Sequence, residues 1–191
     1  NFIKKKDVLV VALNSIQSIR QSFINYRIIS HPQRILTDLV IYNKSKQKII
    51  MPLSSIPTQI KKLIKGPKIF DYGMFVEENK FEINKKNCVI PTSHAIAYAL
   101  SVITAGSVSK IYLAGFDGYK NDKANTILNN EIFNLYKKVQ PDKNLVSITP
   151  TIYSIGEQNR HQWIYFLELK IIYFIVNWLY LNSKIDKKIR T

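Results

Sequence analysis

The sequence predicts an α/β fold with an open, mainly parallel β-sheet, and three observations lead to this prediction. Short apolar runs rich in β-branched residues alternate with segments of helical periodicity along most of the chain. The run at residues 7–13 is almost continuously apolar, which is typical of a parallel strand buried on both faces. Residues 88–114 have the pattern strand, helix, strand, which predicts a βαβ unit.

The first half of the chain predicts three strands joined by helices. The expected order is strand, ambiguous connection, strand, helix, strand and short basic helix, at about residues 7–14, 16–23, 26–30, 32–42, 48–53 and 54–64. Asn14 stands at the carboxyl end of the first strand. Pro32 fits the first turn of a helix, and Gly66-Pro67 ends the basic helix.

The middle of the chain contains the predicted βαβ unit. Residues 68–82, around Gly73, predict strand or lid-like structure, and a strand then ends at Ile90. The helix expected at residues 95–105 has no strongly polar face and is therefore predicted to be buried. Thr92 or Ser93 is expected to cap this helix; a phosphate at the same free N–H groups is the less favoured alternative.

The last third begins with a regular pattern and then changes character. A helix is expected at residues 125–139 and a strand at residues 145–148. We therefore divide the chain into a Rossmann-like nucleotide- or sugar-binding domain, residues 1–153, and an apolar helical tail with a basic end, residues 154–191. The apolar stretch 163–181 approaches the ~20 residues that span a bilayer, but Glu168 and Lys170 weaken that interpretation.

Three explanations compete for this tail: a core or dimer helix, a helix lying on a membrane, or the out-of-frame product of a truncated gene. An exposed apolar patch of this size rarely stays solvated. We therefore predict a peripheral membrane or subunit contact through residues 163–190, with the basic end meeting anionic lipid.

The composition indicates anionic partners and a reducing environment. The net charge of +15 suits phosphates, acidic sugars, anionic lipid or nucleic acid, although a low-GC genome explains abundant Lys, Ile and Asn equally well. No nucleic-acid-binding motif is present, so no nucleic acid is expected as a partner. Cys88 is the only cysteine, which favours a cytoplasmic location. The three histidines have no metal-binding spacing, and no metal or cofactor is expected.

Polar residues follow the predicted strands at their carboxyl ends, where open parallel sheets bind ligands. These residues are Asn14, Thr92, Ser93, Asp117 and Tyr119. The sequence therefore predicts that they converge on one cleft. An ordinary turn is the competing explanation for Asp117-Gly118.

Two of these segments resemble a known family. Residues 90–93 (Ile-Pro-Thr-Ser), the following helix and residues 110–119 (KIYLAGFDGY) resemble the core of small bacterial sialyltransferases. Those enzymes have a Thr-Ser before a small-residue helix, and a Tyr-Leu-x-Gly-x-Asp-x-Tyr pattern at the end of the next strand. The chain also looks like a domain at the end of aldolase-like proteins encoded among lipopolysaccharide genes, which has close versions of His31-Pro32-x-Arg34 and of residues 114–119. The resemblance covers roughly residues 7–151.

The resemblance implies a Rossmann-like fold with helices on both faces of the sheet and a CMP-activated acidic sugar as donor. Asn14 is then expected to contact the nucleotide or sugar. Thr92 and Ser93 are expected to meet the phosphate or the sugar carboxylate. Gly115 and Asp117 are expected to hold the ribose, because a carboxylate accepts hydrogen bonds from two vicinal hydroxyls.

The resemblance also implies catalytic residues, and here the chain departs from the family. Tyr119 is expected to donate its hydroxyl to the phosphate of the leaving group. The family's catalytic histidine lies beyond the Asp-x-Tyr turn, but residues 120–148 contain no histidine. His31 replaces an Asn that precedes Pro in the family, and we assign it the role of the base that such a transfer needs.

Three functions remain open at this point. The first is a glycosyltransferase that uses a CMP-sugar and a glycan acceptor in lipopolysaccharide or capsule synthesis, in the cytoplasm or peripheral to the inner membrane. The second is a non-catalytic or truncated accessory domain of a larger lipopolysaccharide-biosynthesis protein. The third and least favoured is a basic nucleic-acid-binding module.

Overall fold

The computed structural model of the chain describes residues 8–16, 18–119, 121–157 and 171–175. Its strands, in chain order, are β1 (Val8–Leu13), β2 (Tyr26–Ile28), β3 (Lys48–Met51), β4 (Ile69–Asp71), β5 (Gly73–Val76), β6 (Glu82–Ile83), β7 (Asn87–Ile90), β8 (Lys110–Ala114), β9 (Asn144–Ser147), β10 (Gly156–Glu157) and β11 (Ile171–Ile175). Its α-helices are α1 (Pro32–Thr37), α2 (Leu39–Asn43), α3 (Thr58–Lys61), α4 (Ala95–Ala105) and α5 (Lys123–Val139).

The main sheet has eight strands in the order β10-β9-β8-β11-β1-β2-β3-β4, and every neighbouring pair is parallel. Successive residues of β1 join different hydrophobic clusters: Val11 and Leu13 pack with α4, whereas Val10 and Ala12 pack with Ile24. Both faces of this strand are therefore buried from Val10 to Leu13, as its continuous apolar sequence predicts. The α/β class with a mainly parallel sheet is confirmed.

The central helix α4 has the expected bounds, ends at the expected Gly106 and is buried. Ala97, Tyr98, Ala99 and Leu100 are all fully buried within the largest hydrophobic cluster. The expected cap is wrong: the N-cap residue is His94 rather than Thr92 or Ser93, and no side-chain hydrogen bond caps the helix.

The βαβ unit expected within one sheet is wrong, because β7 and β8 belong to different sheets. Strand β7 lies at the centre of a small sheet, where it pairs parallel with β5 and antiparallel with β6. The region around Gly73 supplies both partners, and its mixed composition had left it without a definite assignment. Tyr72 fixes this sheet, since its hydroxyl donates to the carbonyls of Asn84 and Asn87 at 2.9 and 2.8 Å.

The single helix expected at residues 32–42 is interrupted at Asp38, which lies between α1 and α2 with φ −112° and ψ 17°. The Asp38 side chain is 7% exposed, and its Oδ2 accepts a 2.6 Å hydrogen bond from Ser15 Oγ. A buried carboxylate must be hydrogen-bonded, and this contact draws the helix towards the loop that follows β1.

Strand β11 corrects the expected helical tail. Ile171–Ile175 lie between β1 and β8, with Tyr173 opposite both Val10 and Tyr112. The helix expected across residues 163–181 is therefore wrong for these five residues. A continuous apolar run fits a buried strand as well as a helix, and isoleucine and aromatic residues favour the strand.

Apart from residues 171–175, the segment 163–190 that was predicted to contact a membrane or a subunit lies outside the described residues. No helix in the described ranges is both long enough and apolar enough to cross a membrane.

Candidate functional site

A cavity of about 460 Å³ opens at the carboxyl ends of β1, β2 and β8, within the range of small-molecule sites. Of the predicted site residues it is lined by Asn14, His31, Ser93, Gly115, Asp117 and Tyr119. Thr92 does not line it. Four separate loops therefore bring the predicted residues together, and the loop before α4 contributes through Ser93 and His94 but not through Thr92.

The loop after β1 is held by a buried arginine on the neighbouring strand. Asn14 has a left-handed backbone with φ 52°, and its N–H donates to the carbonyl of Ile28 at 2.9 Å. Arg27 is fully buried, and its guanidinium donates to the carbonyls of Asn14 and Ile16 at 2.7 and 3.1 Å. It also donates to the Gln21 side chain. Burial lowers the pKa of Arg27, and these hydrogen bonds compensate for the lost hydration.

The turn after β8 presents an exposed carboxylate to the cavity. Gly115 and Gly118 have φ of 75° and 103°, in the left-handed region that favours glycine. The Gly115 N–H donates to Thr149 Oγ1 at 2.9 Å, and the carbonyl of Asp117 accepts from the Ile152 N–H at 3.2 Å. The backbone is thus anchored at both ends, while the Asp117 side chain stays in solvent.

Replacement of Gly118 tests how firmly this turn is set. A Cβ at Gly118 meets Ile152 Cγ1 at 2.2 Å, and φ 103° is unfavourable for any side chain. We expect Gly118→Ala to lower the free energy of unfolding by about 1–2 kcal/mol in thermal or urea denaturation. Gly156→Ala is the control, because the added Cβ meets only Leu145 O at 3.4 Å. Equal stability of the two variants would contradict the assigned turn.

A buried amide joins three further side chains of the cavity. Asn129, on α5, is 5% exposed, and its Nδ2 donates to the Tyr153 hydroxyl at 3.1 Å. Its Oδ1 lies 3.4 Å from Nδ1 of His94. Burial, with a further contribution from Tyr153, raises the pKa of Tyr119 to about 12, although a hydrogen bond with Asn129 opposes the rise. At neutral pH the Tyr119 phenol is therefore protonated and is able to donate.

The two histidines of the cavity have opposite hydrogen-bonding roles. His31 caps α1, where its Nδ1 accepts from the Gln33 N–H at 3.3 Å, so its neutral ring carries the proton on Nε2. His94 Nδ1 lies 3.4 Å from the Asn129 carbonyl oxygen and must donate to it, so in the neutral ring the lone pair is on Nε2. A base needs that lone pair, so the geometry favours His94 over the His31 that the sequence indicated.

The sequence did not indicate several residues of the cavity as site residues, chiefly Ser30, His94, Asn129 and Tyr153. Asn129 lies within a helix and Tyr153 in the loop beyond β9, and neither position carries a local signal of function. Ser30 precedes a helix, where a hydroxyl is ordinary. Asn129 and Tyr153 reach the cavity because α5 packs against both segments: the Phe133 ring centroid lies 6.2 Å from that of Phe116 and 5.4 Å from that of Tyr153.

Groups of three or more His, Cys, Asp or Glu residues suited to a metal ion are not found in the described ranges. In comparisons with known proteins, no family model, no curated protein and no solved structure matches the chain. The geometry of this cavity and the motifs in the sequence are therefore the features that indicate a function.

Proposed function

We propose that the chain is a sialyltransferase-like glycosyltransferase domain that takes a CMP-activated acidic sugar in a Rossmann-like fold. One observation carries the proposal. The turn with Asp117 and Tyr119 shares a cavity with Asn14 and Ser93 at the carboxyl edge of a parallel sheet, where such sheets bind nucleotides. The proposed setting is lipopolysaccharide or capsule synthesis in the cytoplasm, with a glycan as acceptor.

The nucleotide lies with its ribose at the turn after β8. The exposed Asp117 carboxylate accepts hydrogen bonds from the two vicinal ribose hydroxyls, which are charge-assisted and therefore strong. The left-handed backbone at Gly115 carries no side chain, so the ribose approaches the main chain closely. Asn14 and Ser93 offer further polar contacts from the facing loops.

The transfer joins the acceptor hydroxyl oxygen to the anomeric carbon of the sugar. The bond from that carbon to the phosphate oxygen breaks, and its electron pair leaves with CMP. Nε2 of His94 accepts the proton of the acceptor hydroxyl, with the ring oriented by Asn129. The Tyr119 hydroxyl, protonated because its pKa is about 12, donates to the departing phosphate.

Asp117→Asn tests the nucleotide site. The change keeps the shape of the side chain but removes the charge that strengthens its hydrogen bonds to ribose. We expect CMP affinity to fall by about 1.5–3 kcal/mol, or roughly 10–150-fold, in calorimetric titration. Asp142→Asn, another exposed acid that does not line the cavity, is the control and should bind CMP as the wild type does. An absence of CMP binding to the wild-type chain would refute the nucleotide proposal.

The second candidate function is a non-catalytic accessory domain with the same cavity. It is favoured by the absence of histidine from residues 120–148, where the sialyltransferases have their base. Hydrolysis of CMP-N-acetylneuraminate separates the two functions. A catalytic chain should release CMP and lose most of this activity as His94→Asn, whereas an accessory domain should bind the donor and release no CMP.

A further inference from the structure

The cavity has one wall that consists of hydrogen-bond donors. Ser30, His31 and Arg34 lie in the segment that follows β2, and all three line the cavity; we call them the β2 wall. The Ser30 side chain is 2% exposed, and its Oγ has no hydrogen-bond partner in the described part of the chain. A buried hydroxyl without a partner is costly, and where it lines a cavity it favours the binding of a polar group there.

The other two side chains of the β2 wall add donors beside this hydroxyl. Nδ1 of His31 accepts a hydrogen bond from the Gln33 N–H, so the Nε2–H of His31 is the donor that remains for a ligand. The Arg34 guanidinium has no ion pair or side-chain hydrogen bond among the described residues. The positive charge of Arg34 also acts on Tyr119, on another loop of the cavity, and opposes the rise of the Tyr119 pKa.

The facing wall has the opposite character, because the turn after β8 presents the Asp117 carboxylate. Asp117 repels an anionic group and Arg34 attracts it. A group rich in hydroxyls instead favours the Asp117 carboxylate, to which it donates hydrogen bonds. A ligand with an anionic end and a hydroxyl-bearing end therefore has one favourable orientation. Arginine is especially suited to the anionic end, since its planar fork matches the two oxygens of a carboxylate or phosphate.

We infer that the β2 wall is an oxyanion subsite that binds a carboxylate or phosphate group of the ligand through Ser30, His31 and Arg34. The inference rests on the proposed function and deepens it, because it assigns the anionic part of the donor to the wall opposite Asp117. The resemblance had indicated Thr92 and Ser93 for this group. Thr92 lies outside the cavity lining.

Ser30→Ala gives two effects of opposite sign. In the free protein it removes an unpartnered buried hydroxyl and leaves the apolar packing almost unchanged, so we expect the melting temperature to rise by about 2–4 °C. The same change removes one donor to the anion, so affinity for N-acetylneuraminate or CMP should fall about tenfold. If Ser30 had only a structural role, its replacement would not raise the melting temperature and weaken binding at the same time.

Arg34→Gln tests the charge, and paired probes identify the anionic group. CMP against cytidine isolates the phosphate, and N-acetylneuraminate against its neutral methyl ester isolates the charge of the carboxylate. We expect Arg34→Gln to weaken the anionic member of at least one pair by tenfold or more and to leave the neutral member unchanged. Arg20→Gln is the control, because Arg20 is exposed above the Phe23 ring, outside the cavity lining.

The outcomes separate this inference from the proposed function. If CMP binds and Asp117→Asn weakens it, but neither Ser30→Ala nor Arg34→Gln changes either probe ratio, the oxyanion subsite is wrong and the nucleotide site stands. If N-acetylneuraminate binds through Arg34 and no nucleotide binds, the subsite stands and the proposed function fails. If the wild-type chain binds neither anionic probe, both are overturned.

Discussion

A chain shortened to residues 1–161 is expected to lose its cooperative unfolding transition. The deletion removes β11, which pairs along its length with β1 on one side and β8 on the other. Its loss leaves two buried strand edges with unpaired backbone groups and separates β8–β10 from β1–β4. The cost exceeds the 5–15 kcal/mol by which whole domains are stable. Circular dichroism during heating and urea titration measure the transition directly.

A chain that ends at residue 175 is the matched control, because it retains β11. We expect it to unfold cooperatively, so the comparison isolates the strand from the segment after it. If residues 163–190 instead form a membrane or subunit contact outside the core, the chain of residues 1–161 should be more soluble and should keep the full-length melting temperature. That result would contradict the central position of β11.

Arg27→Met is expected to lower the free energy of unfolding by about 3 kcal/mol. The substitution leaves the partly buried carbonyls of Asn14 and Ile16 without the guanidinium that donates to them, at about 1–3 kcal/mol for each unsatisfied group. Removal of a desolvated charge offsets part of this loss. Because Asn14 lines the cavity, CMP affinity should fall as well. Urea denaturation and calorimetry give the two values.

Arg20→Met controls for the loss of an arginine as such. The Arg20 guanidinium lies 5.5 Å from the Phe23 ring centroid, and the residue is exposed. We expect its replacement to change the free energy of unfolding by no more than about 1 kcal/mol. If Arg27→Met were as stable as Arg20→Met, the guanidinium would not be what holds the loop after β1.

The local sequence pattern was sufficient to identify a strand or helix where contacts with distant parts of the chain did not decide between the two. The strand at residues 7–13 and the helix at 95–105 were recognised because a continuous apolar run and an alanine-rich helical pattern each describe a buried element. Periodicity does not tell which strand an element pairs with. Strand β7 was therefore placed in the wrong sheet, and β11 was predicted as a helix.

In the candidate site, too, most residues predicted from the sequence line the cavity and one does not. Asn14 and Asp117 were predicted because each follows a strand, and parallel strands bring their carboxyl ends to one edge whatever their order. Thr92 and Ser93 were included by the same rule although β7 is not part of the main sheet, and of the two only Ser93 lines the cavity. The rule depends on sheet membership, which is a tertiary property.

The sequence by itself determined the α/β class, the buried character of β1 and α4, and the position of Asn14 and Asp117 at one edge of the sheet, because apolar runs and polar strand ends are local. Only the tertiary structure decided that Asn129 contacts His94, that Arg27 holds the loop after β1, and that the Ser30 hydroxyl has no hydrogen-bond partner among the described residues. These features depend on which buried polar atoms find hydrogen-bond partners once distant segments pack together. No spacing along the chain records that outcome.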